Sequence, residues 1–126
     1  MKILLDTYYY VLYSICRGDS MIDIQLKRGL LDIGVLAYLK SGEAHGYGII
    51  KSLSPYFEIS ESTLYPILRR LETSGCLTVQ SVEHNGRLRK IYSITDTGLA
   101  KIREFLENWK DVMRIVQFIE QRWNNE

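Results

Sequence analysis

The chain has 126 residues and a formal net charge of +1, from 16 Lys and Arg against 15 Asp and Glu. That length suits one domain with an extension, and the even balance gives no global basic signature, so any case for a nucleic-acid partner must come from local charge clusters. The two cysteines, Cys16 and Cys76, lie far apart without CxxC spacing; they argue against a disulfide framework or a structural zinc site and read as reduced thiols of a cytoplasmic protein.

Residues 1–20, MKILLDTYYYVLYSICRGDS, are apolar and tyrosine-rich. Asp6 interrupts the apolar stretch and no small-residue cleavage site follows, so they make a poor signal peptide. They are too short to span a membrane. Two readings stand. Leu5, Tyr8, Tyr9, Leu12 and Ile15/Cys16 recur at helical spacing and could pack on a partner. Alternatively, Met21 is the natural start: Arg17-Gly18-Asp19-Ser20 can be encoded by a purine-rich stretch resembling a bacterial ribosome-binding site, which makes residues 1–20 translated upstream DNA.

From Asp23 to Lys40 the residues Ile24, Leu26, Leu30, Leu31, Ile33, Leu36, Ala37 and Leu39 predict a well-buried helix. Ser41 to Gly46 reads as a turn. A short helix over Gly46 to Leu53 follows, with Tyr47, Ile50 and Leu53 expected inside. Ser54-Pro55 ends it, because a residue before proline disfavours the helix. Phe57-Glu58-Ile59 is a brief extended link.

SESTLYPILRRLETSG, residues 60–75, predicts a third helix. Ser60 is its cap, Leu64, Ile67, Leu68 and Leu71 share a face, and Gly75 is its stop. Pro66 sits more than a turn inside, where it removes a hydrogen bond. Leu77 to Glu83 alternates as a strand. Asn85-Gly86 is a strong hairpin signal, and Arg87 to Thr95 is the return strand. Thr95 can cap a last helix of about eight turns. Its apolar stripe is Leu99, Ile102, Leu106, Trp109, Val112/Met113, Val116, Ile119 and Trp123.

Three helices, a two-stranded hairpin and a long helix make a mainly α winged helix-turn-helix. The domain scheme is an extension over 1–20, a DNA-binding domain over 21–95 and a dimerisation helix over 96–126. The last helix is long and apolar, close to heptad spacing, which favours an intermolecular seam over folding back on its own domain.

In a helix-turn-helix the second helix enters the DNA major groove with its N-terminal residues at the base edges. Here those are Glu61, Ser62, Thr63 and Tyr65, with Arg69 one turn on, and Pro66 and Arg70 are counted with them as DNA-binding residues. The blander alternatives are capping for Ser62 and Thr63, half-buried packing for Tyr65, and a solvated face paired with Glu72 for Arg69 and Arg70. Pro66, with its ring outward, would bend the helix so that its first turn is aimed separately. At the hairpin tip Asn85, Gly86, Arg87, Arg89 and Lys90 suit a wing against the phosphate backbone. His45 and His84 have no Ser, Asp or Cys partner in sequence to suggest a triad, and no metal cluster can be assembled, so neither an enzyme nor a cofactor is expected.

HGYGIIKSL (45–53), STLYPILRRLETSGCL (62–77), GRLRKIYSITDTG (86–98) and ENWKDV (107–112) together resemble the PadR family of bacterial transcriptional regulators. The resemblance covers nearly everything from Met21 onward. It implies a dimeric winged-helix repressor. The single C-terminal helix is similar to the smaller subfamily that includes the lactococcal multidrug-sensing repressor, in which a tryptophan on that helix stacks on planar drugs at the dimer interface. Trp109 occupies the matching place, with Phe105, Val112 and Met113 nearby. Met113 stands where that relative has an acidic residue, which weakens any preference for cations. Filling of the dimer core by Trp109 is the alternative. The reading is a repressor that binds a pseudo-palindromic duplex operator as a homodimer and is released by a planar aromatic ligand, without a membrane. Its competitors are an effector-independent DNA-binding dimer and a winged-helix module that binds protein.

Overall fold

The structure, a computed structural model, describes residues 24–125. Both readings of residues 1–20, and the boundary at Met21, lie outside the described residues. The described elements are α1 (Ile24–Lys40), β1 (Ala44–His45), α2 (Gly46–Leu53), α3 (Glu61–Thr73), β2 (Leu77–His84), β3 (Arg87–Ile94) and α4 (Asp96–Asn124).

The core forms where the apolar faces of α1, α2 and α3 meet one end of the hairpin. Leu31, Val35, Leu36 and Leu39 come from α1, Ile49 and Leu53 from α2, and Leu64, Ile67, Leu68 and Leu71 from α3. Cys76, Leu77 and Tyr92 close it from the sheet side. Each such side chain contributes about 1.5–3 kcal/mol when fully removed from water. In α1 the buried arc runs through Leu31, Asp32, Val35, Leu36 and Leu39, whereas Leu26 and Ala37, expected inside, are exposed.

The sheet has three strands in the order β1-β3-β2, one more than the expected hairpin. Ala44 and His45, read from sequence as turn, pair antiparallel with Tyr92 and Ile91. Two residues are too short for alternation to reveal; the partner strand supplies the signal. β2 and β3 pair from Leu77↔Ile94 to His84↔Arg87 around a two-residue loop. Asn85 and Gly86 both take positive φ, 52° and 78°, as a type I′ turn demands.

α3 stops at a Schellman motif. Gly75 takes φ 78°, its amide donates to the Glu72 carbonyl, and the Cys76 amide reaches back to Leu71. Thr95 then joins two elements. Its hydroxyl accepts from the Gly98 amide at 3.1 Å and donates to the Gly75 carbonyl at 2.6 Å. Gly98 is the buried residue of α4, and a Cβ there would stand 2.2 Å from the Cys76 carbonyl oxygen. The helix can therefore dock against the base of the hairpin only because this position has no side chain.

α4 runs 29 residues, about 43 Å at 1.5 Å per residue. Leu99, Ile102, Trp109, Met113 and Val116 of the expected stripe are half-buried, and Leu106, Val112, Ile119 and Trp123 are exposed. Ile115 and Phe118, outside that stripe, are also exposed. The apolar surface is thus wider than one heptad seam. Among the described residues, no helix is long and apolar enough to cross a membrane.

Candidate nucleic-acid interface

α3 presents two faces. Leu64, Ile67, Leu68 and Leu71 are buried and fix its position. Glu61, Ser62, Thr63, Tyr65, Pro66 and Arg69 are exposed. Ser60 takes the extended N-cap conformation but makes no side-chain cap to a backbone amide. Its hydroxyl instead meets those of Ser62, at 2.9 Å, and Thr63, at 3.3 Å. The expected cap is therefore an exposed cluster of three hydroxyls, each able to donate or accept.

Pro66 lies inside a continuous helix with its ring exposed. It has no amide hydrogen for the Ser62 carbonyl, which costs stability in an otherwise regular helix. The buried leucines on either side hold the remaining turns.

Arg70 departs from expectation. It lines one hollow with Pro66 and Arg69, but its ion pair is not with Glu72. Its Nη2 lies 2.5 Å from Oδ1 of Asp32 on α1. Asp32 is 8% exposed, the buried acidic residue of the described core. Nothing in the helical pattern of α1 flags an aspartate facing inward; a carboxylate buried among leucines requires a charged partner, and only the fold reveals it.

The wing places Arg87, Leu88, Arg89 and Lys90 on β3, all exposed. Alternation sends Arg87 and Arg89 to one side and Leu88, Lys90 and Tyr92 to the other. Lys90 and Tyr92 come against α3, where they and Tyr65, Arg69 and Glu72 line a small cavity. Burial pushes the Tyr92 phenol above its ordinary range, and the neighbouring Tyr65 and Glu72 push the same way.

A larger cleft, about 460 Å³, opens between the start of α2, Tyr65 of α3 and the strand carrying Arg89 and Lys90. Tyr47, expected to face the core, stands at its edge and is 73% exposed. The buried face of α2 is Gly46, Ile49 and Leu53, so Tyr47 points elsewhere by helical geometry. His45 Nδ1 and the Lys90 carbonyl oxygen are 3.2 Å apart, which holds the start of α2 beside the wing. Sequence reasoning missed His45 and Tyr47 because it assigned the first to a turn and the second to the core.

On α4, Phe105 and Trp109 stack on each other, with ring centroids 5.7 Å apart and planes 20° from parallel. Both are half-buried, as is Met113, and Val112 is exposed. Among the described residues, no group of three or more His, Cys, Asp or Glu side chains is placed to hold a metal ion.

Comparison with known proteins bears on this arrangement. The family model described as the transcriptional regulator PadR-like family matches residues 35–104. A transcriptional regulator of Mycobacterium tuberculosis is 32% identical over 81 residues, covering 64% of this chain and 76% of that protein. The negative transcriptional regulator PadR of Bacillus subtilis is 28% identical over 82 residues, covering 61% of this chain and 45% of that longer protein. A solved PadR-family transcriptional regulator from Eggerthella lenta superposes with a TM-score of 0.67 at 36% identity, over 76% of this chain and 86% of that one.

Proposed function

Since the chain belongs to the PadR-like family of transcriptional regulators, non-enzymatic proteins that bind DNA, we propose that it is a dimeric repressor whose α3 reads an operator and whose dimer seam takes a planar aromatic effector. The observation that carries the DNA part is positional. Tyr65 and Arg69 of α3 and Lys90 of the wing line two adjoining cavities, which share Tyr65, Lys90 and Tyr92. Ser62, Thr63 and Tyr65 are the base-edge contacts, and Arg69 reaches phosphate or a guanine. Pro66 sets the angle of the first turn. Asn85 and Gly86 shape the wing tip, and Arg87, Arg89 and Lys90 hold the backbone beside it. Arg70 acts through Asp32 by holding α3 against α1, so its part is positioning.

Repression rests on the negative regulator of Bacillus subtilis among the relatives. Dimerisation through 96–126 rests on the exposed Leu106, Val112, Ile115, Phe118, Ile119 and Trp123 of α4, an apolar area that a monomer would leave in water. A two-fold dimer calls for a pseudo-palindromic operator with half-sites about one helical turn apart. Footprinting on the DNA upstream of its gene tests this. Two protected half-sites, lost together in Tyr65→Ala and in Arg69→Ala, are expected. Protection unchanged in both variants refutes the assignment of α3.

The effector would lie against Trp109, with Phe105, Val112 and Met113 around it, and would act by favouring a dimer with differently spaced α3 helices. One observation favours the effector-independent alternative: Phe105 already covers one face of Trp109. Release of operator DNA by a planar aromatic compound, lost in Trp109→Leu, separates the two.

A further inference from the structure

We propose that Asp32 is a positioning residue for operator reading: by gripping Arg70 it fixes the roll of α3 against α1, and with it the arrangement of the two reading helices in the dimer. The inference rests on the reading of the chain as a dimeric DNA-binding regulator and deepens it.

An ion pair is a poor choice for stability at this place. Asp32 shares the buried arc of α1 with Leu31, Val35 and Leu36. An apolar side chain of similar size there would avoid stripping a carboxylate of water. What the pair adds is direction. The leucines of α1 and α3 belong to one apolar core, and apolar attraction has no preferred direction. A charge-assisted hydrogen bond has a short length and a preferred line. Nη2 of Arg70 meets Oδ1 of Asp32 at 2.5 Å.

The pair is placed to resist rotation. Arg70 does not belong to the buried face of α3, which is Leu64, Ile67, Leu68 and Leu71. It lines an open hollow with Pro66 and Arg69 and reaches Asp32 over the flank of the helix. A tether on the flank opposes a roll more strongly than one on the line of contact. The leverage matters for recognition. At an outer radius of about 5 Å, a roll of roughly 20° carries a surface side chain about 2 Å. Hydrogen bonds to base edges tolerate about 0.5 Å.

The same pair connects the reading helix to the dimer helix. α1 packs against α4 and against β3, whereas the backbones of α1 and α3 scarcely approach each other. α1 therefore belongs to the frame that carries α4, and Asp32 ties α3 to that frame. Lys110–Glu107 and Arg114–Asp111, by contrast, are ion pairs within α4 alone and are exposed at both ends. In a two-fold dimer the seam on α4 sets the frame. The Asp32–Arg70 link then sets how each α3 is presented from it, and so which half-site spacing the dimer accepts.

The test measures discrimination as well as affinity. Anisotropy titrations of the full chain use the footprinted operator, the same half-sites with one base pair inserted or removed between them, and a scrambled duplex, over a salt series. Asp32→Asn keeps the size of the side chain and removes its charge. Arg70 is then released to water and the fold should be retained, as circular dichroism checks. The wild type should prefer the native spacing. In Asp32→Asn that preference should fall about tenfold, while the salt exponent does not fall, because no phosphate contact is lost. Arg70→Gln should show the same loss, and the double variant no further loss, since each change removes the same link. A pair that only stabilises the fold would leave the preference of the folded protein untouched, so wild-type preference in folded Asp32→Asn overturns the proposal. It is also overturned if Arg70→Gln lowers the salt exponent by about one per subunit while Asp32→Asn binds as the wild type does, which would make Arg70 itself a phosphate contact. Wild-type protein that does not distinguish the operator from the scrambled duplex would instead remove the DNA-reading function on which the inference rests.

Discussion

Asp32 on α1 and Arg70 in the middle of α3 form an ion pair across the core, Nη2 to Oδ1 at 2.5 Å, with the carboxylate buried and the guanidinium reaching it from a 44% exposed side chain. The pair is unequal. Removing the arginine leaves a buried charge without its partner. Removing the charge of the aspartate leaves an arginine that can turn to water. Arg70→Ala is therefore expected to cost about 2–3 kcal/mol, below the usual range for a fully buried pair because one end is solvated. Asp32→Asn should cost less. Urea midpoints at constant m-value measure the difference. Equal losses would mean that the burial of Asp32 does not matter energetically.

Gly98 and Gly29 give a matched contrast. An alanine at Gly98 would meet the Cys76 carbonyl oxygen and Ile94 Cγ1 at 2.2 and 2.7 Å, whereas at Gly29 nothing lies within 4 Å. Gly98→Ala is expected to destabilise by about 2–3 kcal/mol through overpacking at the joint of hairpin and helix. Gly29→Ala should stabilise α1 by about 0.5–1 kcal/mol. Thermal midpoints moving in opposite directions are the expected result.

Pro66→Ala restores an amide donor for the Ser62 carbonyl. Stability should rise by about 2 kcal/mol, within the penalty usual for an interior proline. If the bend aims the first turn of α3, preference for operator over scrambled DNA should fall in the same variant. Higher stability with undiminished specificity would leave Pro66 without a functional role.

The Tyr92 phenol titrates later in the folded chain than in the unfolded one, chiefly because it is buried. Below the unfolded value of about 10 both states hold the proton and stability is unaffected. Above it the unfolded chain releases the proton first, so stability falls as pH rises further. Tyr92→Phe cannot titrate there. The stability gap between wild type and Tyr92→Phe should shift against the wild type as pH rises above about 10, as followed by urea unfolding; a gap that stays constant would contradict the burial argument.

The sequence makes the local part of this molecule readable. Leu64, Ile67, Leu68 and Leu71 mark the buried face of α3 by spacing alone, and Asn85-Gly86 marks the turn because few other pairs accept two positive φ values in succession. What it conceals is set by tertiary partners. Ala44 and His45 form a strand only because β3 offers Tyr92 and Ile91 beside them. Asp32 is a surface residue by composition and a core residue by its contact with Arg70. Tyr47 fits an apolar face on a helical wheel, yet Gly46, Ile49 and Leu53 already complete that face. The candidate interface was therefore legible on α3 and the wing, and the cleft between them was not, since its walls come from three separated segments.

The measurement that bears most directly on the central claim is fluorescence anisotropy of labelled DNA from the region upstream of the gene, against a scrambled duplex, over a salt series. Binding that prefers the native sequence and weakens steeply with salt, with a slope near 0.9 for each phosphate neutralised, is the expected result. Equal and weak binding to both duplexes at every salt concentration, from a folded protein, would contradict the assignment of α3 and the wing as a sequence-reading surface.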